Sequence, residues 1–125
     1  MKELTKEDFE IFIYECNRWI EFFGLYGWNV FYYFEELDEY CFANCTCDLG
    51  GRVCAIRLNT KFPEQDYSVI NLKKTAFHEV CEMLFSRIVT INNARYVGSD
   101  EIGEEVHNLI RIFENKLFPL MKVST

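Results

Sequence analysis

The spacing of apolar residues changes twice along this chain, and that change restricts the fold more than any other feature. Near the N-terminus apolar residues recur with the period of an amphipathic helix. From Trp28 to Leu58 the pattern is typical of strands, and from about Ser68 the helical period returns. The sequence therefore predicts an N-terminal helix, a three-stranded sheet and then two helices, which is an α+β fold.

Capping residues predict where these helices begin and end. Thr5 is a candidate N-cap residue for a first helix over residues 6–23, and Gly24 suits the position after its last turn. Ser99 is expected to cap the last helix, because its hydroxyl can accept a hydrogen bond from a free backbone amide. A chain of 125 residues has the usual size of one domain, so we predict a single domain over residues 1–125.

Three short segments carry the strand pattern, over residues 28–34, 40–47 and 52–58. Acidic residues follow the first segment as a polar turn, and Asp48-Leu49-Gly50-Gly51 follows the second as a hairpin turn. Connections this short predict a meander, in which each strand pairs antiparallel with the next one in sequence. We therefore expect an antiparallel sheet.

The charge and polarity of the chain argue against several classes of partner. A net charge of −7 disfavours contact with nucleic-acid phosphates. No apolar run approaches the roughly 20 residues that cross a bilayer, and the N-terminus is too polar for a secretory signal. We therefore expect a cytoplasmic protein, with no nucleic-acid or membrane partner, whose six cysteines are reduced thiols.

The second predicted helix carries His78-Glu79-x-x-Glu82, which has the chemistry of a metal site. His78 and Glu82 are four residues apart, so they share one helix face and can both donate to one ion. Glu79 is rotated by about 100° from His78, a position from which a carboxylate can act as general base on a metal-bound water. Zinc peptidases use H-E-x-x-H, with a second histidine at the fifth position. A carboxylate is also a zinc ligand, so Glu82 fits this role chemically.

A catalytic zinc ion needs a third protein ligand, and the last helix offers several candidates. We favour His107, with Glu104 as the alternative, because a neutral imidazole suits zinc. Imidazole and carboxylate ligands also take manganese or iron, so the donor types alone do not select the metal. In the other interpretation these residues belong to a solvated helix face and bind no metal.

The cysteines of the strand region allow a separate hypothesis. Cys41-x-x-x-Cys45-x-Cys47, together with Cys54, has the composition of a second metal site or an iron–sulfur site. However, the two cysteines at 45 and 47 alternate on a strand and do not form the tight turn of a zinc knuckle. Because free cysteine is among the most buried residue types, the pattern favours core thiols. Cys81 belongs to an apolar helical stripe and is also expected in the core.

Four segments between Gly24 and Pro119 carry a resemblance to a known family. They are Gly24-Leu25-x-x-Trp28-x-Val30, Cys54-Ala55-Ile56-x-Leu58-Asn59, Thr75-Ala76-Phe77-His78-Glu79-Val80-Cys81-Glu82-Met83-Leu84 and Glu104-Glu105-x-His107-x-x-Ile110-Arg111-x-x-Glu114-Asn115. In order and spacing this part of the chain resembles a family of small zincin-like metallopeptidases encoded by phages and prophages. The resemblance covers about three quarters of the sequence and leaves out the first helix.

The resemblance implies a minimal zincin core, one zinc ion and a metal-activated water that attacks a peptide bond. It makes His78 a ligand, Glu79 the base and Glu82 the occupant of the second ligand position. The third ligand then comes from the segment between Glu104 and His107. The implied partner is a peptide or protein substrate in the cytoplasm of the host cell. Because Glu82 replaces the usual histidine, an inactive zincin fold that binds a host protein is the alternative.

Overall fold

The computed structural model describes residues 1–93 and 98–120. It contains three helices and two sheets, so the predicted α+β class is confirmed. The elements in chain order are β1 (Lys2–Glu3), α1 (Lys6–Phe22), β2 (Asn29–Glu35), β3 (Ala43–Asp48), β4 (Val53–Asn59), β5 (Lys61–Phe62), α2 (Val69–Asn93) and α3 (Ser99–Lys116), with 3-10 turns at Glu64–Asp66 and Phe118–Leu120. The order departs from the prediction, because β1 precedes the first helix and pairs with β5.

Helix α1 begins at a capping box. The Thr5 hydroxyl accepts a hydrogen bond from the Asp8 amide, and the Asp8 carboxylate accepts one from the Thr5 amide. The prediction that Thr5 is the N-cap residue is therefore confirmed. Gly24 follows the helix with a φ of +68°, a conformation that glycine adopts without strain. Helix α3 differs from the prediction, because its N-cap residue is Gly98 and Ser99 is already helical.

The main sheet is mixed, and the prediction of an antiparallel meander is wrong. Its strand order is β2-β4-β3, so the strand that comes last in sequence lies in the middle. Strand β2 runs parallel to β4, whereas β3 and β4 form the predicted antiparallel hairpin. The physical reason lies in the connection from β2 to β3, residues 36–42. It is too long to force a hairpin, and it crosses to the far side of β4.

Asn59, at the end of β4, holds this connection in place. Its side chain is 1% exposed. Its amide nitrogen donates to the backbone carbonyls of Leu37, Asp38 and Cys41, and its carbonyl accepts from the Leu37 and Lys61 amides. One buried side chain therefore satisfies backbone groups that have no strand partner.

The hydrophobic core lies between one face of the sheet and the helices α1 and α2. On β4 it receives Cys54, Ile56 and Leu58, which are fully buried, as the strand alternation predicts. Helix α1 packs on α2, and α2 packs on β3. The other core members include Phe12, Cys16, Phe62, Leu72, Ala76, Val80 and Leu84. This packing places one long face of α2 against the sheet.

Helix α3 packs on α2 and is anchored by an ion pair. The Arg87 guanidinium on α2 lies 2.6 Å from the carboxylate of Glu105, which is buried at the helix contact. Leu109, Ile112 and Phe113 pack against the edge of the core. Within the described residues, no helix is both long and apolar enough to cross a membrane.

Candidate active site

A cleft of about 570 Å³ lies between α2 and the segment that leads into β3. One wall is formed by the turn before β3 and by its first residue. The other wall is the first half of α2, which brings two residues of the predicted metal motif to the cleft. The lining residues are Tyr40, Cys41, Phe42, Ala43, Asp66, Asn71, Lys74, Thr75, His78 and Glu79.

Glu79 is the buried acid of this cleft. It belongs to the face of α2 that packs toward the sheet, and it is 4% exposed. Burial, which penalises the charged form, raises the pKa of Glu79 to about 7. The negative charge of Glu82 adds to this rise in pKa, and the neighbouring His78 opposes it. Glu79 is therefore balanced between its charged and neutral forms near neutral pH.

His78 and Glu82 lie together on the solvent side of α2. The Nε2 atom of His78 is 3.4 Å from Oε1 of Glu82, and both side chains are more than half exposed. Two donors at about 2.0–2.2 Å from a tetrahedral zinc ion lie roughly 3.3–3.6 Å apart. The spacing of this pair therefore fits two ligands of one ion.

The predicted third ligand is not brought to this pair in the described structure. His107 and Glu104 are exposed on α3, and the adjacent Glu105 is engaged by Arg87. Among residues 1–93 and 98–120, the one group of at least three metal-binding side chains with mutually close donor atoms is formed by cysteines. The pair at 78 and 82 thus supplies two donors, and its third ligand stays a prediction.

The cysteine group consists of Cys45, Cys47 and Cys54, and we call it the thiol cluster. All three sulfur atoms lie within 4.8 Å of one another, close enough to bind a single metal ion. The Sγ atom of Cys45 is 3.6 Å from that of Cys47 and 3.3 Å from that of Cys54. The hairpin causes this convergence, because Cys47 lies directly opposite Cys54.

The thiols of this cluster are within hydrogen-bonding distance of one another. Hydrogen bonds from the Cys45 and Cys54 thiols lower the pKa of Cys47, and the Ser86 hydroxyl on α2 lowers it further. The hydrogen bonds that Cys45 makes to its two neighbours raise the pKa of the Cys45 thiol. The Cys47 thiol therefore loses its proton more readily than the Cys45 thiol.

The other cysteines named in the sequence lie outside this cluster. The Cys41 thiol lies in the cleft and is 3.2 Å from the carbonyl oxygen of Ala43. Cys81 is half-buried among aromatic and aliphatic side chains of α1, α2 and α3. The signal that identifies the cluster was present in the sequence, because Cys45 and Cys47 alternate on one strand and Cys54 follows a short turn. The register between the strands was the missing information.

No family model, no curated protein and no solved structure matches the chain. The resemblance to zincin-like proteins therefore rests on the four sequence segments that carry it. The structure adds the position of each residue of those segments. That geometry is the basis of the proposals that follow.

Proposed function

We propose that this protein is a zincin-like, zinc-dependent hydrolase that acts on peptide bonds. His78 and Glu82 are its proposed metal ligands, and Glu79 is its proposed general base. The observation that carries the proposal is the position of Glu79, a buried carboxyl in the wall of a cleft. His78 lines the same cleft, the donor atoms of His78 and Glu82 are spaced for one ion, and the charges of both act on Glu79.

The proposed role of Glu79 follows from its surroundings. A general base works best when its pKa lies near the working pH, so that it can accept a proton and then return it. Burial against the sheet gives Glu79 that property, whereas the exposed Glu82 is free to act as a donor to a cation. Zinc bound at the pair is expected to polarise the carbonyl of a substrate.

The substrate class is supported by the strand beside the cleft. Strand β3 is an edge strand of the main sheet, with β4 on one side. Its first residue, Ala43, lines the cleft, and the ring of Phe42 precedes it. An extended peptide can add to such an edge through backbone hydrogen bonds. A peptide paired with β3 in this way passes the wall of the cleft that α2 forms, which contains Glu79.

A second candidate function is a zincin fold without catalysis that binds a host protein. One observation favours it: the described residues bring two donors together at His78 and Glu82, one fewer than a catalytic zinc site uses. In that case Glu79 is expected to be dispensable for binding the partner. The two candidates therefore differ in the role of a single carboxyl group.

The experiment compares Glu79→Gln with the wild type for zinc content and for hydrolysis of a mixed peptide library. Glutamine keeps the shape of glutamate but cannot accept the proton, so we expect zinc to remain and hydrolysis to fall at least 100-fold, the order of general-base catalysis. Glu114→Gln, an exposed carboxyl on α3, is the matched control and should retain full activity. Hydrolysis that survives in Glu79→Gln contradicts the proposal, as does a wild-type protein that holds zinc and cleaves no peptide.

A further inference from the structure

The thiol cluster lies on the face of the β3–β4 hairpin that α2 covers. Cys47 is the direct cross-strand neighbour of Cys54, and Cys45 lies two residues earlier on the same face of β3. Cys54 is fully buried and the other two are half-buried. The three sulfurs therefore come from two strands joined by one short turn, and the rigid hairpin fixes their separation.

The separations suit one metal ion. A zinc–sulfur bond of about 2.3 Å places the sulfurs of a tetrahedral site roughly 3.8 Å apart. The sulfur of Cys45 lies 3.6 Å from that of Cys47 and 3.3 Å from that of Cys54, which is shorter than this edge. All three sulfur atoms lie within 4.8 Å of one another, so a single ion can contact all of them.

The donor set is composed of sulfur. Among the described residues, no imidazole or carboxylate joins the three thiols within the same radius. Thiolates are soft ligands that select zinc and copper(I) over calcium, magnesium and manganese. We propose that Cys45, Cys47 and Cys54 bind one zinc ion, at a site separate from the pair formed by His78 and Glu82.

The fourth position of a tetrahedral ion is expected on the side of α2. The polar side chain of this helix that lies near Cys47 is Ser86, whose hydroxyl donates to the Met83 carbonyl and lowers the pKa of the Cys47 thiol. A water molecule held by Ser86, or the hydroxyl itself, completes the coordination. An ion in this position joins β3 to β4 and both strands to the helix that carries Glu79. Because the unfolded chain lacks this arrangement, binding adds to the stability of the folded state.

The test uses the metal-free, reduced, full-length chain, titrated with Co²⁺ and then with Zn²⁺. We expect sulfur-to-cobalt charge-transfer absorption that saturates with one Co²⁺ at the thiol cluster, beside any Co²⁺ held by His78 and Glu82, and that is lost when Zn²⁺ displaces that ion. Zinc should also raise the midpoint of thermal unfolding. Cys45→Ser and Cys47→Ser should lose the absorption and show a smaller rise of the midpoint than wild type, because each removes one of three ligands. Cys41→Ser and Cys81→Ser are matched controls and should retain both.

A second measurement needs no substitution. Zinc should slow alkylation of the three cluster cysteines in the wild-type chain, as peptide mass mapping reports, and should leave the rate at Cys81 unchanged. Absence of charge-transfer absorption in the wild type, its survival in Cys45→Ser and Cys47→Ser, or equal alkylation with and without zinc overturns the proposal.

The outcome is independent of the proposed hydrolase. His78→Ala is expected to keep the charge-transfer absorption, because the thiol cluster does not use that residue. A chain that shows the absorption but cleaves no peptide retains the thiol site and loses the hydrolase. A chain that cleaves peptides but lacks the absorption retains the hydrolase and loses the thiol site.

Discussion

At the scale of single residues, the clearest departure from ordinary packing is the carboxyl of Glu79. It is buried beside the core, where an ionised carboxylate is poorly solvated, and its pKa is raised accordingly. Residues that lower stability in this way are concentrated at functional sites. The sequence singles out this residue as the expected base, because a glutamate directly after His78 matches the H-E-x-x-H pattern that the chain resembles, and that role stays a prediction. It did not predict the burial, which depends on how α2 lies on the sheet.

The burial of Glu79 predicts a pH-dependent cost in stability. Its pKa rises from 4.5 to about 7 in the folded protein, so the folded state binds more protons than the unfolded state between these values. The wild type therefore loses stability as the pH rises through this window, relative to a variant without the charge. We expect Glu79→Gln in metal-free protein to gain stability relative to wild type between pH 5 and pH 8.

Urea unfolding at these two pH values measures the effect. Glu101→Gln is the control, because this glutamate is exposed on α3 and should show the same difference from wild type at both. A Glu79→Gln variant whose stability relative to wild type does not change between the two pH values contradicts this assignment of Glu79 as a buried acid.

At the scale of elements, the sequence predicted most helices and strands but not how the strands pair. The hairpin of β3 and β4 was predictable because Gly50 and Gly51 form a local turn. The parallel pairing of β2 with β4 was not, because it joins segments that are far apart in sequence. Asn59 holds residues 36–42 in the path that this pairing requires, and side-chain hydrogen bonds of this kind have no periodic signal in a sequence.

The anchoring role of Asn59 gives a prediction at the same scale. Asn59→Ala removes the side-chain partner of several part-buried backbone groups, which costs about 1–3 kcal/mol of folding free energy. It should also accelerate amide hydrogen exchange in residues 36–42, the connection that leads to the cleft. Asn44→Ala is a matched control, because Asn44 accepts one hydrogen bond from the Arg57 side chain on the sheet. Equal stability and exchange in the two variants would rule out the anchoring role.

At the scale of the whole molecule, both candidate metal sites depend on α2. The helix places Glu79 in the cleft and Ser86 near Cys47. The predicted pairing of His78 with Glu82 follows from helix geometry alone, and the structure brings these side chains within 3.4 Å. The predicted approach of His107 depends on the packing of α3 on α2. Helix packing is set by the whole set of contacting side chains, so the spacing of the motif could not determine it.

Zinc-edge anomalous diffraction from crystals of the zinc-loaded chain tests the proposal that zinc binds between His78 and Glu82. We expect an anomalous peak within about 2.0–2.2 Å of both His78 Nε2 and a carboxylate oxygen of Glu82. The same map identifies the third ligand. A map with no zinc at this pair, whether the thiol cluster is occupied or empty, would contradict the proposal.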